Sequence, residues 1–212
     1  GTTNFSTSTI NQDDLFAYDV EVLGDLDGDG VNDMAVGSPN DNDGGKAHGA
    51  VYILFLNSDG TVKSSQKISS TEGNFKEKLD PYDSFGRAIS YIGDFNGDGY
   101  EDLAVAWAAF PHTIEQEKKF RAPINIYLND GNGHFSEDKN LYATGNPPTH
   151  PFAYRLIVED FNDDGMDDLF AGSMGIQVRK ENYNENYIDP YPHLLLLSNQ
   201  DLKLEESNQN II

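Results

Sequence analysis

The segment Gly24-Asp25-Leu26-Asp27-Gly28-Asp29-Gly30-Val31-Asn32-Asp33 places aspartates at 25, 27, 29 and 33 around closely spaced glycines. It returns as Gly93-Asp94-Phe95-Asn96-Gly97-Asp98-Gly99-Tyr100-Glu101-Asp102, and again as Glu159-Asp160-Phe161-Asn162-Asp163-Asp164-Gly165-Met166-Asp167-Asp168. All three obey Asp-x-Asp/Asn-x-Asp-Gly-x-x-Asp. A lone Asp-Gly pair marks a turn. Three copies in register mark a repeated unit with a repeated chemistry.

That chemistry is calcium ligation. Ca²⁺ is a hard cation that takes 6–8 oxygen ligands at about 2.3–2.6 Å. A tight loop turns alternate side chains toward one point. Asp25, Asp27 and Asp29 therefore supply side-chain oxygens in the first loop, Asp94, Asn96 and Asp98 in the second, and Asp160, Asn162 and Asp164 in the third. The seventh residue offers its carbonyl, from Val31, Tyr100 or Met166. The ninth closes the shell with Asp33, Asp102 or Asp168. Three Ca²⁺ ions are expected, one per loop. Mg²⁺ fits less well, because it prefers a small, strict octahedron with retained waters. A helix–loop–helix calcium hand is excluded, since it needs Glu at position 12; here Val36, Val105 and Ala171 stand there, each in an apolar run.

The flanks read as strands. Val20–Leu23 and Ile89–Ile92 precede the loops; Met34–Val36, Leu103–Val105 and Leu169–Ala171 follow them. Third strands are expected at Ala50–Phe55, Ile124–Leu128 and Leu194–Leu197. Fourth strands are expected near Val62–Ile68, Phe135–Tyr142 and Leu202–Glu205. The class is all-β: three four-stranded antiparallel sheets that form β-propeller blades over residues 10–79, 80–147 and 148–212. A β-sandwich accounts for the strands but not for three like loops in register.

The chain of 212 residues is long enough for a sizeable core, and its aromatic content of 11% argues against disorder. A net charge of −22 excludes non-specific nucleic-acid binding and a basic membrane-surface module. The absence of cysteine excludes disulfide scaffolds, thiolate zinc sites and cysteine nucleophiles. No apolar run approaches the ~20 residues of a membrane helix. Gly1–Thr9 lacks the basic and apolar regions of a signal peptide, so a secreted protein is expected here as its mature form or a fragment.

Each loop is also preceded by Phe and a small residue: Phe16-Ala17, Phe85-Gly86 and Phe152-Ala153. With Gly93–Gly99, the pair Phe85-Gly86 resembles the FG-GAP repeat of integrin α-subunit propellers. The first unit, ending Ala35-Val36-Gly37-Ser38-Pro39, is nearest to the integrin form; the other two resemble bacterial repeats of secreted and surface proteins. Ala17 and Ala153 depart from the motif glycine, and Gly172-Ser173-Met174 departs from its Gly-Ala-Pro corner. The resemblance implies a seven-bladed ring, of which three blades lie in this chain, so the rest would come from the same polypeptide or another copy. It also implies an extracellular or cell-surface adhesion or ligand-binding module with a protein or carbohydrate partner.

Some polysaccharide lyases and phospholipases carry similar repeats, so the propeller domain of a secreted carbohydrate-active enzyme is the alternative. The sequence gives it no catalytic signature. His48, His112, His134, His150 and His193 form no metal-binding pair, and Gly172-Ser173-Met174-Gly175 falls short of a nucleophile elbow. The resemblance implies that the loops between second and third strands, Ser38–Gly49, Trp107–Pro123 and Ser173–Pro192, leave the blades at the end opposite the acidic loops. They hold the sole Trp, Phe110, Phe120, Tyr183, Tyr187 and Tyr191, with Lys118, Lys119, Arg121, Arg179 and Lys180. Aromatics and Arg are enriched at binding hot spots, so the last two loops form the expected partner surface.

Overall fold

The computed structural model describes residues 5, 10–73, 75, 78–107, 122–138, 142, 149–150, 153–173, 194–198 and 204–206. Among the described residues there are thirteen strands and no helix. The first sheet runs β1 (Val20–Gly24), β2 (Asp33–Ser38), β3 (Ala50–Leu56) and β4 (Val62–Ser69) in simple order. The second repeats this with β5 (Ala88–Tyr91), β6 (Leu103–Ala106), β7 (Ala122–Asn129) and β8 (Phe135–Glu137), and gains β9 (Thr149–His150) beside β7. The third comprises β10 (Ala153–Glu159), β11 (Asp168–Ser173), β12 (Leu194–Ser198) and β13 (Leu204–Glu206). Neighbours in each sheet pair antiparallel, as in propeller blades.

Burial follows from the layering. The middle strands β3 and β6 are apolar and buried nearly throughout, because each face of the sheet meets other side chains. The edge strand β4 carries Lys63, Ser64, Ser65 and Gln66, which suits a partly exposed edge. One core cluster joins the first and second sheets through Leu23, Val51, Ile53, Phe85, Ile89, Val105 and Tyr127. A second joins the second and third sheets through Ile92, Ile124, Ile126, Leu156 and Leu169. The far face of the first sheet holds Val36, Tyr52 and Leu54, with Phe5 and Phe16 packed on them.

Phe85 and Gly86 explain the dipeptide. The Phe85 ring is fully buried against Phe75, Trp107 and Tyr127, and its N–H donates to the carbonyl of His48 (2.9 Å). Gly86 has φ +80, and a Cβ there would stand 2.5 Å from the Ala50 carbonyl oxygen. The aromatic ring thus fills the space between two sheets while the glycine lets their backbones meet. Ala17 keeps the same left-handed conformation at φ 64 despite its Cβ. Two residues before each of these phenylalanines lies a carboxylate absent from the motif as read above. Asp14 accepts from the Asn11 N–H (2.8 Å) and Asp83 from the Asp80 N–H (2.6 Å), each closing the turn into its sheet. Burial pushes the Asp83 carboxyl up to about 6.

Two expectations need correction. The fourth strand of the second sheet ends at Glu137 and does not reach Tyr142. Tyr142 is instead buried, and its hydroxyl accepts the Ile126 N–H (2.7 Å). Trp107, assigned to the partner surface, is 4% exposed and packs against Phe75 at a tilt and against Phe85 edge-on, between the first two sheets. Its apolar area drives it into that gap. The other aromatic and basic residues named for that surface lie outside the described residues.

Candidate metal centre

Each acidic segment is the turn that joins the first two strands of a sheet. In the first and third sheets the turn closes on the pairs Gly24↔Asp33 and Glu159↔Asp168. In the second, the Asp102 N–H donates to the Gly93 carbonyl (2.8 Å). The tight curl needs left-handed residues at its centre: Gly28 and Gly30 in the first loop, Gly97 and Gly99 in the second. In the third loop Asp163 takes the first of these positions at φ 58, which aspartate tolerates better than most residues.

The curl turns backbone N–H groups inward onto the first aspartate. Gly28 and Asp29 donate to Asp25 Oδ1 (2.8 and 3.0 Å), and Gly30 donates to Asp25 Oδ2 (2.7 Å). Asp98 and Gly99 do the same for Asp94 (2.9 and 2.8 Å), and Asp164 and Gly165 for Asp160 (3.0 and 2.7 Å). At the fifth position, Asp29, Asp98 and Asp164 each accept the N–H two residues on, at 2.9 Å. At the third position, Asn96 and Asn162 accept the N–H groups of Asp98 and Asp164 (both 2.9 Å). The side chains at positions 1 and 5 of every loop, and at position 3 of the second and third, are therefore oriented by the backbone of their own loop.

Oxygens of Asp25, Asp27 and Asp29 lie within 4.8 Å of one another. Two ligands of one Ca²⁺ at about 2.4 Å stand at most about 4.8 Å apart, so this donor set fits a hard divalent cation. Lys63 from β4 enters the same cluster, 2.5 Å from Asp27 and paired also with Asp29. The Lys63 ammonium is the first cause holding the Asp29 carboxyl below its ordinary range. This lysine lies far along the chain from the loop, and the motif carries no sign of it.

The ninth residue behaves differently. Asp33, Asp102 and Asp168 are buried. Their Oδ2 atoms accept the N–H groups of Leu26, Phe95 and Phe161 (3.0, 3.0 and 3.1 Å), seven residues back in the chain. In the first two sheets the other oxygen reaches across: Asp33 Oδ1 accepts from Leu56 N–H (2.8 Å), and Asp102 Oδ1 from Asn129 N–H (3.0 Å). Asp33 and Asp102 thus pin their loops to the end of the third strand. Burial raises the Asp33 carboxyl, and it pushes Asp102 up to about 7 against the lowering effect of these N–H groups.

At the opposite end of the first sheet, the loop Ser38–Gly49 is fastened inward. Tyr52 OH donates to Asp41 Oδ2 (2.7 Å), and Lys67 Nζ lies 3.1 Å from the same oxygen. Ser69 and Thr71 hydroxyls donate to Asp43 (2.5 and 2.6 Å). The three sheets meet through another group, at and just before their first strands. Tyr18 and Tyr154 hydroxyls are 2.9 Å apart, and the Arg87 guanidinium lies over both rings at 4.8 and 5.1 Å. These three residues occupy like positions, two after Phe16, Phe85 and Phe152.

The FG-GAP-like repeat matches residues 25–105 and 94–171, more than half of the chain. The chain is 28% identical over 150 residues to the phosphatidylinositol-glycan-specific phospholipase D of Bos taurus, covering 70% of this chain and 17% of that protein. It is 38% identical over 92 residues to integrin alpha-2 of Mus musculus, covering 42% of this chain and 7% of the integrin. With integrin alpha-6 of Gallus gallus it shares 29% over 169 residues, 77% of this chain and 14% of the other. The chain therefore spans under a fifth of the length of these curated relatives.

Proposed function

The chain belongs to the FG-GAP-like repeat family, and we propose that it is a calcium-binding, extracellular ligand-binding module built of propeller blades. The observation that carries this reading is the convergence of Asp25, Asp27 and Asp29 oxygens in a loop whose pattern occurs three times. In each loop the residues to hold Ca²⁺ are those at positions 1, 3, 5, 7 and 9: Asp25, Asp27, Asp29, Val31 and Asp33; Asp94, Asn96, Asp98, Tyr100 and Asp102; Asp160, Asn162, Asp164, Met166 and Asp168. The cation supplies positive charge where these carboxylates repel one another, and binding to the folded state alone adds stability.

Extracellular modules of this kind work at about 10⁻⁴–10⁻³ M calcium. Calorimetric titration is expected to count three ions, and exhaustive chelation to lower the melting temperature reversibly. An unchanged melting temperature and no heat of binding would overturn the calcium reading. This proposal assigns the partner, protein or carbohydrate, to the loops of residues 107–123 and 173–192, the buried Trp107 excepted. There Arg121→Ala and Tyr187→Ala should weaken capture in a glycan or protein screen at unchanged melting temperature. Further blades, from the same polypeptide or another copy, belong to the same reading.

The phospholipase relative favours a second reading, in which the blades support a secreted enzyme. Among the described residues, Tyr18, Arg87 and Tyr154 form a Tyr–Arg convergence that invites a catalytic role. Burial and the Tyr154 hydrogen bond raise the Tyr18 hydroxyl, the wrong direction for a tyrosine base. That group reads as a tie between blades. No helix of the described residues is long and apolar enough to cross a membrane.

A further inference from the structure

The first loop differs from the other two in charge. It has four aspartates where the second and third have three and an asparagine: Asp27 stands where Asn96 and Asn162 stand. Calcium loops tune affinity by the charge count and rigidity of their ligands. On ligand charge alone the first loop should be the tightest of the three. Its extra carboxylate does not face solvent alone, however. Lys63 Nζ lies 2.5 Å from Asp27 Oδ2 and contacts Asp29 Oδ2, so one ammonium bridges the third and fifth ligands. The side chains are partly shielded, with Lys63 28% exposed and Asp27 26%. Lys63 is placed by β4, whose pairing with β3 brings it beside the loop.

We infer that Lys63 is a tethered counter-cation of the first loop, which offsets the charge of Asp27 and competes with the metal for Asp27 and Asp29. The inference rests on the calcium reading given above. Without a metal, Lys63 relieves repulsion among Asp25, Asp27 and Asp29. When a cation enters, the ammonium must give up both carboxylates. The first loop is then no tighter than the others in spite of its fourth aspartate, and it does not fill first. Removing the ammonium leaves the ligand set intact and unmasks the added charge.

Each loop has its own reporter. Gly30, Gly99 and Gly165 donate their N–H groups to the first aspartate of their respective loops at 2.7, 2.8 and 2.7 Å. Nitrogen–proton correlation spectra of the whole chain, recorded during a calcium chloride titration, follow these three amides separately. In the native protein Gly30 should saturate at a calcium concentration equal to or above that of Gly99 and Gly165. In Lys63→Met, Gly30 should saturate at about tenfold less calcium, the size expected for removing one like charge a few ångströms away, with Gly99 and Gly165 unmoved. Lys63→Gln is expected to do the same, and Lys63→Arg to keep the native order. The inference is overturned if Gly30 saturates first in the native protein, or if Lys63→Met and Lys63→Gln leave its midpoint unchanged. Should no glycine of the three respond to millimolar calcium, the calcium reading itself fails, which is a distinct outcome.

Discussion

A carboxylate in these loops has one of two jobs, and its burial tells which. Asp27 reaches solvent and is bonded to Lys63, whereas Asp33 is buried and accepts two backbone N–H groups, one from Leu26 in its own loop and one from Leu56 at the end of β3. Without calcium, Asp33→Ala should therefore cost about 2–4 kcal/mol in urea unfolding, since it strands the Leu26 and Leu56 N–H groups. Asp27→Ala should change stability little without calcium and reduce only the stabilisation that calcium adds. Equal losses for both in chelator would refute this division. Asp83 makes a pH prediction. Its folded value of about 6 lies above an unfolded value of about 3.9, so the folded state holds the proton more tightly. The favourable contribution is complete below about pH 4 and is lost as pH rises through 6. Asp83→Asn retains an acceptor for the Asp80 N–H and lacks the charge. It should gain on the native protein by up to about 3 kcal/mol between pH 4 and pH 7; parallel stability curves would contradict it.

Among the elements, the Phe-Gly turn has the sharpest steric demand. Gly86 is left-handed and pressed against the Ala50 carbonyl, so Gly86→Ala should lower the melting temperature clearly. Ala17 holds the same conformation at the first turn but is exposed, so Ala17→Gly should stabilise by about 1 kcal/mol through relief of the left-handed strain. Ala153 lies within β10 and shows no such φ, so Ala153→Gly should bring no gain. The alternation and the apolar runs made most strands legible: Ala50–Phe55 is β3 but for one residue, and the loop pattern located all three first turns. The pairing of β9 with β7 was not legible, because two residues carry no periodicity. Asp14 and Asp83 were missed because a single buried carboxylate before a turn leaves no pattern. Lys63 was missed because β4 meets the first loop only through the sheet's register.

At the scale of the whole molecule, the blades are joined by apolar clusters and by ties that no local pattern reveals. Trp107 illustrates this: an aromatic at the mouth of a long loop reads as a binding residue, and only its neighbours Phe75 and Phe85, distant in the chain, show that it is core. Arg87 likewise depends on Tyr18 and Tyr154, from the sheets on either side of it. What makes the blades more than packing is the row of acidic loops along one end, which concentrates carboxylates in a chain already at −22. The central claim is that each loop holds one Ca²⁺ ion. Anomalous diffraction from crystals grown in millimolar calcium tests it most directly. The account predicts three peaks, one at Asp25–Asp33, one at Asp94–Asp102 and one at Asp160–Asp168, each with oxygens at about 2.3–2.6 Å. Loops without peaks, or ions at about 2.0–2.1 Å in octahedral shells of retained water, would contradict it.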